Sequence, residues 1–142
     1  MKKIQFALLI LLIISCQGQQ NSKLDHEKLN QVESNQKNLD ALKDAGEKFK
    51  VIRDIFHWLY FKNKSDLNRF LGEIKSKGFD HVSSNVIEDK LPYQLQIKIK
   101  DFVSKTTMDS QAIYLVDIAK KYGGEYDGWE TIVENSNSNN SD

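Results

Sequence analysis

Three histidines, a late cluster of carboxylates and a run of hydroxyl side chains are the groups with which this chain could do acid–base, metal or nucleophilic chemistry. His26, His57 and His81 lie far apart and lack the close spacing of metal ligands. His57 sits within an apolar run, where a packed histidine bonded to its neighbours is expected rather than a catalytic base. Glu125, Asp127 and Glu130 would attract a cation, but no oxygen-rich loop surrounds them, so they read as a solvated strand edge. Ser104, Thr106 and Thr107 have no base nearby to activate a hydroxyl. No phosphate-cradling glycine loop or dinucleotide fingerprint occurs. The residues therefore predict no catalytic site, no metal and no cofactor, and a protein that is not an enzyme.

Binding chemistry is better represented. Phe56, Trp58 and Tyr60 alternate with Ile55, His57, Leu59 and Phe61, which makes both faces of one strand largely apolar. Ile97 and Ile99 alternate in the same way with Lys98 and Lys100. If Ile55, Leu59, Phe61, Ile97 and Ile99 face a core, then Phe56, Trp58, Tyr60, Lys98 and Lys100 share the opposite surface. Aromatics beside lysines on an open sheet suit base stacking, and equally a protein interface. Lys+Arg 20 against Asp+Glu 20 gives no net charge, which places nucleic acid below a protein partner. A helix from residues 24–49 capping this face is the third option.

The only cysteine is Cys16. Lys2 and Lys3 precede an apolar run from Ile4 to Ile14 broken only by Gln5, too short for the roughly 20 residues that span a bilayer. Ile13-Ile14-Ser15-Cys16 resembles the lipobox of bacterial lipoproteins. That resemblance implies cleavage before Cys16, acylation of its thiol and attachment to a membrane by several chains. No acidic run follows Cys16, so a periplasm-facing position in the cell envelope is expected. A lone cysteine also excludes an internal disulfide, and the domain must rely on its core.

These residues need elements to hold them. The signal occupies 1–15, and a polar tether with a helical spacer occupies 16–50. Its thin stripe of Leu29, Val32, Leu39, Leu42 and Phe49 is too brief for a coiled coil and is broken by Gly46, so a helix lying on its own domain is expected. The domain itself covers 51–134. Residues 52–62 read as a strand, and Lys64-Ser65-Asp66 as a cap for a helix through Ile74 that Gly78 closes. A second strand covers 79–86 and a turn at Pro92 leads to the clear alternation of 93–100. A helix over 109–122 stops at Gly123-Gly124, a last strand covers 125–133, and 135–142 is a disordered tail. The order is that of an α+β, ferredoxin-like βαββαβ domain: a four-stranded antiparallel sheet with two helices on one face.

The run Gly124-Glu125-Tyr126-Asp127-Gly128-Trp129, with Thr131 after it, resembles the C-terminal signature of the RraB family, the regulators of ribonuclease E activity B. His57 to Phe61, Ser65-Asp66-Leu67 and Lys77-Gly78-Phe79 fit the same family upstream. The resemblance implies a ferredoxin-like fold and a noncatalytic protein that binds a partner. The partner it implies is ribonuclease E, for a chain that stays in the cytoplasm as an inhibitor of RNA turnover. An exported, tethered chain would have a protein partner that the sequence does not name. Within the motif, Gly128 suits a bulge and Trp129 a buried ring whose N–H finds a carbonyl. That fold-fixing role is expected ahead of a recognition patch of Tyr126, Asp127 and Trp129.

Overall fold

The computed structural model describes residues 2–134 of the chain, with side chains from Asn21 onward. The elements are α1 (Lys2–Asp44), β1 (Ile52–Phe61), α2 (Lys64–Ile74), β2 (Asp80–Val86), β3 (Tyr93–Phe102), α3 (Lys105–Lys121) and β4 (Glu125–Thr131). The strands form one antiparallel sheet in the order β2-β3-β1-β4. From β1 onward this is the ferredoxin-like arrangement, and α1 adds a third helix.

The alternation along β1 sets the two faces. Arg53, Ile55, His57, Leu59 and Phe61 are buried, whereas Asp54, Phe56, Trp58 and Tyr60 remain partly exposed. Leu59 and Phe61 join Phe70, Ile74, Leu95, Ile97, Leu115 and Val116 in the main core between sheet and helices. Each such side chain contributes roughly 1.5–3 kcal/mol on burial. A slip of one residue in β1 would turn this whole set outward, so the pairing is strongly specified.

Helix starts differ from the sequence expectation. The cap of α2 is Asn63, whose Oδ1 accepts the Asp66 N–H at 2.9 Å. Lys64-Ser65-Asp66 is the first turn itself. Similarly, α3 begins at Lys105 rather than Asp109, because Ser104 Oγ accepts the Thr107 N–H at 3.1 Å. That cap adds a turn which buries Met108. Two adjacent threonines disguise it, being poor helix formers away from a cap.

The spacer is helical and lies on its own domain, packed beside α3. Its inward stripe is the expected one only in part: Leu39, Leu42 and Phe49 pack on the domain, but Leu29 does not. Leu29 is 64% exposed, while Leu24, Asn35, Leu39 and Leu42 face the domain. Phe49 lies beyond the helix, in a left-handed conformation (φ 53°), and packs against a second core cluster of Leu39, Ile55, Val103, Met108 and Trp129. α1 thus covers the same face of the sheet as α3, and the opposite face carries no helix among the described residues.

A buried ion pair secures the link from α1 to β1. Arg53 Nη2 donates to Glu47 Oε1 at 2.7 Å, and Glu47 also accepts the Phe49 and Glu134 N–H groups. The Arg53 guanidinium, then burial acting against it, then the two backbone donors, leave the Glu47 carboxyl lowered to about 2. Among the described residues no helix is long and apolar enough to cross a membrane. The Cys16 side chain and the tail 135–142 lie outside the described residues.

Candidate functional site

Antiparallel pairing places the binding residues in three rows across the uncovered face. Phe56 on β1 lies between Lys98 on β3 and Glu130 on β4; Trp58 lies between Gln96 and Gly128; Tyr60 lies between Gln94 and Glu125. Asp54 opposes Lys100, and Ile52 opposes Phe102 at the end of the sheet, where Ile52 and Phe102 are 58% and 46% exposed. Phe56, Trp58, Tyr60, Lys98 and Lys100 therefore do share one surface.

Polar bonds tie β3 to the aromatic strip, and one, between Gln96 and Glu130, crosses the strip from β3 to β4. Lys98 Nζ donates to Asp54 Oδ2 at 2.7 Å. This bond holds the Asp54 carboxyl below its ordinary range and raises the Lys98 ammonium. Gln94 Nε2 donates to Tyr60 Oη at 3.1 Å, and Gln96 Nε2 to Glu130 Oε1 at 3.3 Å. The rings are thus presented by a central strand, and the Tyr60 ring is also held at its hydroxyl by Gln94.

The motif residues point elsewhere. Gly124, Tyr126 and Trp129 are buried on the helix side, while Glu125 and Asp127 are exposed. A Cβ on Gly124 would lie 2.5 Å from the Phe61 ring and 2.9 Å from the Tyr60 carbonyl oxygen, so only glycine fits. Asp127 is the extra residue of a β-bulge opposite Trp58 and Leu59, and Gly128 beside it has φ 153°. The bulge lets Tyr126 and Trp129, three residues apart, both point inward. The Trp129 N–H donates to Asn35 Oδ1 on α1 at 2.8 Å. Tyr126, Asp127 and Trp129 thus form no shared surface, and the motif works as a device of the fold.

His57 is fully buried, and its partners are distant in sequence. Nδ1 lies 3.0 Å from Tyr126 Oη, and Nε2 lies 3.1 Å from Gln111 Oε1. The amide oxygen can only accept, so Nε2 carries the proton and Nδ1 accepts from the phenol. Gln111 Nε2 continues the chain to Asp101 Oδ2 at 3.0 Å. Burial lowers the imidazole to about 4 and raises the Tyr126 phenol. A neutral histidine sealed under Phe79 has no access to a substrate. Gln111 and Asn35 escaped sequence reasoning; the usable signal was a histidine on the inward face of an apolar strand, which demands polar partners. Glu125, Asp127 and Glu130 are exposed, and no group of metal-ligating side chains occurs among the described residues.

The geometry is that of a small α+β domain with an aromatic strip that no helix covers among the described residues. The chain belongs to the family described as Regulator of ribonuclease activity B, whose model matches residues 32–131. The match takes in the last part of α1, residues 32–44, as well as the sheet. The family's description is that of a regulator. No curated protein matches the chain.

Proposed function

We propose that this chain is a noncatalytic regulator, held to the envelope membrane through an acylated Cys16 and facing the periplasm, which binds a protein partner with its open sheet face. The observation that carries the binding reading is the Phe56–Trp58–Tyr60 strip on the central strand, left uncovered while all three helices crowd the other side. Aromatic residues dominate interface hot spots because they bury much area at little entropic cost. The tether reading rests on the leader and the lone cysteine.

Metabolic labelling with a palmitate analogue tests the tether: label is expected on the native chain and lost in Cys16→Ser, and an unlabelled native chain in the cytosol overturns it. In-cell crosslinking tests the face. Trp58→Ala should fold with unchanged far-UV circular dichroism and lose its crosslinked neighbour, whereas retention of that neighbour removes the face from consideration. The family's description favours a second reading, inhibition of ribonuclease E in the cytoplasm. It requires the leader to be retained, and direct binding of the purified chain to ribonuclease E would support it.

A further inference from the structure

We infer that the open face is occupied by a second copy of this chain, in a two-fold dimer whose axis lies between the sheets and runs along β1. This rests on the reading of that face as a docking surface.

The charges on the face are divided by strand. The β3 column carries Lys98 and Lys100, and the β4 column carries Glu130 and Glu125, with the aromatic strip of β1 between them. A two-fold axis along β1 exchanges left for right and keeps height along the strand. It therefore sets β3 of one copy over β4 of the other. Lys98 and Glu130 are both in register with Phe56, so each Lys98 comes to lie over the Glu130 of the second copy, twice per dimer. Gln96 lies over Gly128, which has no side chain, and Gln94 over Glu125. The strip packs on its own copy. Sheets stack about 10 Å apart, a gap that lysine and glutamate side chains reaching from opposite sides can bridge.

Asp54 lies on the axis and faces its own copy, but Lys98 neutralises it at 2.7 Å and still has two donors for the facing Glu130. An axis running across the strands would instead stack β3 on β3 and β4 on β4, so that no lysine of β3 meets a carboxylate of β4. The overlap is three strands wide and seven or more residues long, about 15 by 25 Å in footprint. The two footprints together come to roughly 750 Å², below the roughly 1,200–2,000 Å² of stable interfaces, so the dimer expected is a weak, concentration-dependent one.

Charge exchange tests the geometry. The full chain in detergent is examined by sedimentation, with far-UV circular dichroism as the check on folding. The native chain should dimerise. Lys98→Glu and Glu130→Lys should each weaken the dimer by about tenfold or more, since each creates two like-charge pairs. An equimolar mixture of these two variants should bind more tightly than either variant alone, because both cross-pairs then become opposite in sign, although Asp54 in the Lys98→Glu copy stays unneutralised. A native chain that stays monomeric at its highest soluble concentration, or a mixture no tighter than either variant, overturns the inference. If the chain is monomeric and Trp58→Ala still abolishes the in-cell crosslink, the second copy is refuted while the face remains a docking surface.

Discussion

The bond from Trp129 to Asn35 makes α1 part of the fold, and its removal can be quantified. Asn35 is 1% exposed and bridges two elements: it accepts from Trp129 Nε1 at 2.8 Å and donates to Asp109 Oδ1 at 2.9 Å. Asn35→Ala strands a buried indole N–H, at a cost of roughly 1–3 kcal/mol. It also removes a bond to a carboxylate that keeps Lys105 as a partner, a loss of about 1 kcal/mol. The better helix propensity of alanine returns about 0.5 kcal/mol. The net expectation is a loss of about 2–3 kcal/mol, and a midpoint roughly 10 °C lower for a domain of this size. Urea unfolding in a Trp58→Phe background, where emission reports Trp129 alone, measures both stability and environment. In a further Trp129→Phe background, which has no tryptophan and is followed by far-UV circular dichroism instead, no donor is left stranded, so Asn35→Ala should cost about 1–2 kcal/mol less. A cost below about 0.5 kcal/mol with no coupling would mean that α1 does not clamp Trp129.

Three further outcomes follow from buried groups. His57 titrates at about 4 in the fold against an ordinary 6.5; the folded state thus disfavours the proton, and stability should fall by about 3 kcal/mol as pH drops from 6.5 to 4. Urea midpoints across that window check this, and His57→Leu should flatten the slope although it lowers stability at neutral pH. Glu47, held at about 2 against an ordinary 4.5, stabilises fully above pH 4.5 and loses its contribution between 4.5 and 2; Glu47→Ala at pH 7 should cost about 3–5 kcal/mol by stranding Arg53, read by thermal melting. Gly124→Ala drives a methyl into Phe61 and the Tyr60 carbonyl, so a loss of about 1–3 kcal/mol is expected in the same assay.

The sheet was legible because its signal is local. β3 alternates apolar with polar, and a period of two puts Phe56, Trp58 and Tyr60 on one side of β1 and Lys98 and Lys100 on one side of β3; that these sides coincide follows from the β1–β3 register. The helix caps were less so, since Asn63 and Ser104 act through single side-chain bonds beside residues equally able to cap. The docking of α1 was hidden more deeply. Its inward stripe includes Gln31, which donates to the Tyr126 carbonyl oxygen, and Asn35, while Leu29 points to solvent. A pattern read by hydrophobicity assigns those positions the wrong way round. Polar groups can line such a helix only when partners wait on the other side, and those partners are about 70 to 95 residues away. The His57 chain was illegible for the same reason.

The orientation of α1 bears on both proposals at once. α1 runs antiparallel to α3: Glu27 pairs with Lys120, Lys28 with Asp117, and Asn35 with Asp109. Along the sheet, Gln31 meets Tyr126 and Asn35 meets Trp129, so α1 follows β4 from its start to its end. A two-fold axis along the strands preserves that direction, and the two copies of α1 point their N-termini the same way. Cys16 lies eight residues before Leu24 on this helix, about 12 Å along its axis. Both acylated cysteines of a dimer would then reach one bilayer, with the axis standing roughly upright on it. An axis across the strands would send the two leaders to opposite ends, and one membrane could not hold both. Tether and charge pattern select the same symmetry through different residues. Two anchors per dimer would also multiply the hold on the membrane through effective concentration. Lys98→Glu, which leaves the leader untouched, is therefore expected to loosen membrane retention in a salt or carbonate wash along with dimerisation; retention that ignores the dimer interface would separate the two.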